Sequence, residues 1–424
     1  MSINAFAIII LAALVLEFAL KLISDLLNLK SARSELPGIL QGIYQPEEYR
    51  KSQEYMRVNT RFSLVESGFT LLVLLAFWFS GGFSWFDRVV TAWSLPPVIS
   101  GLLYIGILLF VYSVLKLPFS LYDTFVIEAH FGFNKTTRRT FFTDLVKGFL
   151  LGLLLGGTVL AGILSLFQYV GIYAWVYCWI ALVLFSLVMQ YVAPTWIMPL
   201  FNKYTPMPEG ELKEAILKYT GSVNFPIKNI FVMDGSKRST KSNAFFTGYG
   251  RNKRIALFDT LIAQHTVPEM VSMLAHEVGH YKKKHIIQGM LISIVHTGGL
   301  FFLLSVFLSA PGLYQAFGIT HQPIYAGLLF FGLLYTPLEL VLSILMQMLS
   351  RQNEYEADRF AAETIDDPQN MIDALKKLSS TNLSNLTPNS FFVFLNYSHP
   401  PLLQRIQAIT KLKGKNNNLP TGRI

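Results

Sequence analysis

Residues 266–309 read TVPEMVSMLAHEVGHYKKKHIIQGMLISIVHTGGLFFLLSVFLS. The first half is built as a helix. Thr266 and Glu269 form a capping-box pattern with Pro268 in the first turn, and Val271, Leu274, Ala275 and Val278 supply an apolar face. Helical spacing then sets His276 and His280 one turn apart on the same face, so both imidazoles can reach one metal ion. Glu277, one residue along, cannot readily share that coordination but can contact a water activated there. HExxH also arises by chance in long proteins. Here it lies in a helix-compatible segment that runs straight into an apolar stretch, 287–309, long enough to cross a bilayer.

Six further stretches have that length, near 3–26, 64–86, 98–119, 148–168, 171–195 and 324–349. The composition agrees. Of 424 residues, 52% are hydrophobic and 14% charged, where a soluble domain carries roughly a quarter charged, and mean hydropathy is +0.43. An ordinary soluble globule and a disordered chain are excluded, and Cys178 alone cannot make a disulfide scaffold. The net charge of +9 fits basic loops at a membrane rather than a nucleic-acid partner. The first stretch lacks preceding basic residues and a small-residue cleavage site, so it reads as a retained span rather than a signal peptide.

Lys and Arg fix an expected orientation. The segment after the first span holds Lys30, Arg33, Arg50, Lys51, Arg57 and Arg61, and that after the third holds Lys135, Arg138, Arg139 and Lys147. The turn after the second offers only Arg88, and those after the fourth and sixth offer no Lys or Arg. The N-terminus is therefore expected outside and the C-terminus in the cytoplasm. The domain reading follows: five spans and their loops in 1–195, a cytoplasmic segment in 196–286, two spans in 287–349, a second cytoplasmic segment in 350–412 and a disordered tail in 413–424. Strands are expected at 229–234 and 254–258, with a possible third at 243–247 joined by a hairpin loop at 248–253. Helices are expected at 209–219, 267–285, 351–365, 368–379 and 400–412.

A catalytic zinc usually takes three protein ligands. The third candidate is Glu354 in NEYEAD (353–358), after the last span. Asp358, four residues on, shares its helix face and can accept the free N–H of a ligand histidine. Glu356 is expected to face solvent. His285 is expected on the same helix as His280 but on another face, His296 is a candidate interior residue, and His130, His265 and His321 read as satisfied loop or surface groups.

HEVGH followed by EYEAD and SHPPLLQRI (398–406), with SNAFFTG (242–248), KRIALFDTL (253–261) and FGFNKTT (131–137), resembles the integral-membrane CAAX prenyl endopeptidases along nearly the whole chain. The resemblance implies an all-α polytopic protein, seven helices around a water-filled chamber, with a small α+β zincin-type protease domain on the cytoplasmic side. It implies one Zn2+ held by His276, His280 and Glu354, with Glu277 as general base and acid and Asp358 orienting a ligand histidine. Asn243 and Ala244 would lie on an edge strand that pairs with substrate backbone. His399 and Arg405 would face the site, the histidine as a candidate oxyanion stabiliser. The expected activity is zinc-assisted hydrolysis near the C-terminus of prenylated CAAX-type or similar peptides. A quality-control protease with no prenyl requirement and a transporter or receptor with an incidental HExxH are the alternatives. The source membrane would be the endoplasmic reticulum or a bacterial cytoplasmic membrane, compact outer loops favouring the latter.

Overall fold

The computed structural model describes residues 4–32, 45–225, 227, 229–247 and 254–416. Seven of its helices are long and apolar enough to cross a membrane: Ala5–Ser31, Pro46–Phe79, Pro97–His130, Arg138–Tyr169, Gly171–Phe201, His285–Phe307 and Ile324–Thr364. They coincide with the expected spans, and several run on past the apolar stretch. The second is the exception. It stops at Phe79, and Gly81, at a φ of +77°, opens a separate helix, Gly82–Ala92. A Cβ at Gly82 would sit 2.4 Å from the Phe77 ring, so only glycine allows the chain to fold back here. An unbroken run to residue 86 was the wrong expectation, because the apolar letters continue across the break.

The spans touch in a closed cycle. Successive contacts join first to second, third to fourth, fourth to fifth, fifth to sixth, sixth to seventh and seventh to first. Phe62 and Phe69 against Phe119, and a Lys116–Glu66 ion pair, join second to third. Within the apolar window of each span only 6–22% of residues are buried. The remaining surface of the spans faces lipid or the inside of the ring. The ring is closed at the end away from the two soluble segments. There the third and seventh spans meet through Tyr104 and Tyr325, ring centroids 4.9 Å apart. Trp78, Phe83, Phe86, Phe317 and Phe330 fill the same core, with Phe317 stacked on Phe330 at 3.7 Å. Trp78 donates its indole N–H to the Ala316 carbonyl.

At the other end lies a four-stranded sheet of β1 (Tyr204–Pro206), β2 (Asn229–Met233), β3 (Ala244–Thr247) and β4 (Arg254–Phe258), in the order β1-β2-β4-β3. β2 and β4 are parallel and the other pairs antiparallel. Among the described residues β3 is therefore an edge. β1, which the sequence reading lacked, is a three-residue edge strand ending in proline, a residue suited only to edges. The expected hairpin loop 248–253 lies outside the described residues. One apolar core takes Ile216, Phe225, Ile230, Leu257 and Leu274 from the first soluble segment and Ala361, Met371, Ile372 and Ile409 from the second. The expected helices 351–365 and 324–349 are one continuous helix of 41 residues. The last helix, Leu402–Asn416, enters the segment expected to be disordered, whose remainder lies outside the described residues.

FGFNKTT docks the sheet onto the ring. Lys135 N–H donates to the Arg238 carbonyl and Thr240 N–H to that of Phe133, both at 3.0 Å. Lys241 then reaches Glu128 at 2.9 Å and the Tyr55 hydroxyl at 2.7 Å, with its ammonium 4.5 Å from the centre of the Phe133 ring. This anchor stands two residues before Asn243.

Candidate metal centre

The helix carrying HEVGH is Val267–Lys282, and both halves of its capping box form: Thr266 N–H donates to Glu269 Oε2 at 2.8 Å, and Glu269 N–H to the Thr266 hydroxyl. The cap fixes where the helix starts and hence which face the histidines occupy. That face packs on the extension of the seventh span. Gly279 lies against Ala357 so closely that a Cβ there would be 3.0 Å from Ala357 Cα and from its carbonyl oxygen.

The two helices bring three ligand-type residues together. His276 Nε2 and His280 Nε2 are 3.1 Å apart. Glu354 Oε2 is 3.4 Å from the first and Oε1 3.3 Å from the second. One ligand atom from each of these residues lies within 4.8 Å of the others, the one such group among the described residues. Two imidazoles and a carboxylate suit a divalent cation with an open position. Glu354 Oε2 is buried with no hydrogen-bond partner among the described residues, an arrangement that costs free energy unless a cation or proton meets it.

Around these three lies a second layer. Asp358, 1% exposed, bonds His276 Nδ1 at 2.8 Å. Arg405 donates from Nε to Asp358 Oδ2 at 2.8 Å and from Nη2 to Oδ1 at 2.6 Å, a bidentate pair, and its Nη1 stands 3.6 Å from Glu354 Oε2. Burial alone would push the His276 pKa down; the hydrogen bond to Asp358 and the neighbouring Glu354 carboxylate outweigh that and hold it at about 9. A proton on His276 thus balances the buried carboxylates in the metal-free site. A divalent cation does the same with both imidazoles neutral.

Glu277, Asn243, Ala244, His399 and Arg405 line one cavity of about 200 Å³ beside the three ligand-type residues. Aliphatic and thioether side chains, among them Met273, Met371 and Leu378, complete its wall. His399 keeps a largely exposed side chain, with Nε2 3.3 Å from Glu354 Oε1. Asn243 precedes β3, and its carbonyl accepts from Phe258 N–H at 3.2 Å. By alternation along the strand, the backbone groups of Ala244 and Phe246 point to the free edge.

Other expectations change. The ligand helix ends at Lys282, not 285. Lys284, at a φ of +62°, breaks it, and His285 is buried as the first residue of the sixth span. Its Nδ1 is 3.1 Å from His280 Nδ1, and its Nε2 is 3.3 Å from Glu356, which is therefore not simply solvent-facing. His265 is buried, with Nδ1 bonded to the Leu261 carbonyl. His296 meets the Tyr335 hydroxyl at 3.0 Å and Glu339 at 3.2 Å, far along the spans from the metal centre.

The comparisons with known proteins converge on one family. Residues 25–203 match the CAAX prenyl protease N-terminal region, described as five membrane helices, and 206–413 match peptidase family M48. A CAAX prenyl protease 1 homolog from Arabidopsis thaliana is 36% identical over 386 residues, covering 88% of this chain and 90% of the relative. CAAX prenyl protease 1 of Saccharomyces cerevisiae is 34% identical, covering 92% and 91%. The crystal structure of S. mikatae Ste24p superposes with a TM-score of 0.91 at 32% identity, over 96% of this chain and all of that one. With both family regions matched along the chain and relatives and a solved structure alike over nearly its whole length, the chain belongs to the CAAX prenyl protease family of M48 peptidases and is a multi-pass membrane metalloendopeptidase.

Proposed function

We propose that this protein binds one zinc ion per chain through His276, His280 and Glu354 and cleaves prenylated CAAX-type peptides near their C-terminus. The observation that carries the reading is the juxtaposition, in one cavity, of Glu277, the HEVGH face and the free edge of β3. When bound, zinc polarises a carbonyl oxygen and lowers the pKa of a water ligand to about 7. Glu277 takes the proton from the attacking water and delivers it to the leaving amine. An extended peptide adds to β3 through the edge backbone of Ala244 and Phe246, with Asn243 holding the start of that strand, which gives affinity with little demand on sequence. His399, exposed beside Glu354, supplies a donor toward the developing oxyanion. Asp358 orients His276, and Arg405 borders the substrate cavity while holding Asp358 in place.

The soluble segments are two parts of one protease domain interrupted by the last two spans. Its side of the membrane is the cytoplasm, because the Lys- and Arg-rich connections flank it, and the positive charge faces lipid headgroups rather than nucleic acid. Eukaryotic relatives favour the endoplasmic reticulum over the bacterial membrane that the short loops suggested.

The test uses detergent-purified wild type and Glu277→Gln, measuring zinc content together with cleavage of one CAAX peptide, prenylated and bare. Wild type should hold about one zinc and prefer the prenylated peptide, and the variant should keep zinc and lose cleavage. Equal cleavage of both peptides would replace the substrate class with a prenyl-independent one. Zinc-free protein purified without chelator would end the metal assignment.

A further inference from the structure

The two metal-site imidazoles are supported differently. His276 turns its outer nitrogen to Asp358. Among the described residues His280 meets no carboxylate there; its Nδ1 faces the Nδ1 of His285 at 3.1 Å, and His285 Nε2 faces Glu356 Oε2 at 3.3 Å. Two imidazole nitrogens at that distance share one proton, so one ring donates and the other accepts. If His280 uses Nε2 for the metal, its remaining proton is on Nδ1 and it donates to His285. The proton of a neutral His285 is then on Nε2, the nitrogen that faces the Glu356 carboxylate. Each contact has one donor and one acceptor, and a single tautomer assignment satisfies the chain from the metal outward. We propose that His285 and Glu356 form the positioning support of His280, His285 holding the ring and Glu356 fixing the tautomer of His285.

Local structure explains how the support is assembled. A continuous helix through residue 285 would carry His285 off the His280 face. The left-handed turn at Lys284 instead restarts the chain so that the His285 ring lies 5.2 Å from that of His280. His285 is not a fourth ligand in this geometry, since it meets the nitrogen of His280 turned away from Glu354. The helix bearing Glu354 therefore reaches His280 twice, directly through Glu354 and again through Glu356 and His285. Glu356 is about half exposed and His285 buried, so the histidine is the larger contributor. Outer partners of metal-bound histidines contribute roughly 10–100-fold in affinity, and this support belongs at the lower end.

The inference rests on the metal site proposed above. Its readout is zinc affinity by chelator competition at one fixed pH, with the melting temperature of the metal-free protein measured in parallel. His285→Phe keeps the volume and removes both contacts; it should weaken zinc binding about tenfold. Glu356→Ala should weaken it several-fold without moving the metal-free melting temperature. Glu356→Gln, which can still accept from His285, should restore wild-type binding to within about twofold, a rescue that no general loss of packing would give. The double variant His285→Phe/Glu356→Ala should bind no worse than His285→Phe alone, because the glutamate acts through the histidine. If His285→Phe fails to fold, the Glu356→Ala and Glu356→Gln pair decides the matter. Wild-type affinity in Glu356→Ala, or fully additive losses in the double variant, would overturn the proposal. Absence of zinc from wild type would instead overturn the metal site itself.

Discussion

Gly279, the small residue inside HEVGH, sets the separation of the two helices that carry the metal-site residues, and Gly279→Ala tests this directly. The added Cβ would lie 3.0 Å from both Ala357 Cα and its carbonyl oxygen, and 3.3 Å from Phe360 Cβ. Carbon pairs settle at roughly 3.5–4.0 Å, so the helices must part by about 0.5–1 Å. The two nearest atoms are backbone and the third is a Cβ fixed to the backbone, so none can turn aside. Overpacking of this kind costs about 1–3 kcal/mol, and the better helix propensity of alanine returns about 1 kcal/mol. The metal-free protein should therefore lose at most about 2 kcal/mol. The metal site is less forgiving: ligand distances must hold to about 0.2 Å, several times less than the displacement. We expect zinc affinity to drop by at least about tenfold, as when a ligand loses its supporting contact, and cleavage to fall with it. The assay is chelator competition for zinc alongside thermal melting of metal-free protein. Gly289→Ala is the control, since a Cβ there meets nothing within 4 Å. Zinc affinity within twofold of wild type in Gly279→Ala would refute the reasoning, because the displaced helix would then not be the one that fixes Glu354.

Four further outcomes follow from the same geometry. Asp358→Asn should weaken zinc binding by roughly 10–100-fold and, by leaving the buried Arg405 cation without its bidentate partner, destabilise the protein by about 3–5 kcal/mol; Arg405→Lys should fail to reproduce the wild type in a melting experiment, since an ammonium cannot make both bonds. In metal-free protein the raised pKa of His276, about 9 against 6.5 unfolded, contributes stability that is fully present below about pH 6.5 and lost as pH rises through 9. Melting temperatures across that window should fall in chelator, and a flat profile would remove the proton from His276. Lys241→Met should raise KM for peptide while leaving zinc content unchanged, since it loosens the anchor two residues ahead of Asn243; an unchanged KM would separate that anchor from substrate binding.

Much of this was legible in the letters because the signals are long or rigidly spaced. A membrane crossing needs about 20 apolar residues and tolerates few charges, so seven runs could be counted. HEVGH and the pair Glu354/Asp358 depend only on helical periodicity, which a capped helix obeys. What failed depended on single backbone angles. The break at Gly81 is hidden among aromatic residues that stay apolar on both sides. The break at Lys284 is carried by a lysine, which gives no hint of a left-handed conformation, and it alone moves His285 onto His280. β1 is too short to show alternation. The contact between Gly279 and Ala357 joins residues 78 positions apart through a fold that periodicity cannot supply.

The interruption of the protease core by two spans has a consequence for biosynthesis. Both histidines of HEVGH leave the ribosome before the sixth span does, but Glu354 follows the seventh, and the core partners Met371, Ile372 and Ile409 follow later still. During translation the nascent chain therefore offers only two of the three metal-site residues, on a helix whose apolar core is still missing the part supplied by Ala361, Met371, Ile372 and Ile409. The metal site proposed above is complete only once the last two spans have inserted and the C-terminal helices have docked. On that site, membrane integration is a precondition for activity, and a chain stalled before residue 354 carries two of the three metal-site residues and no means of cutting its neighbours.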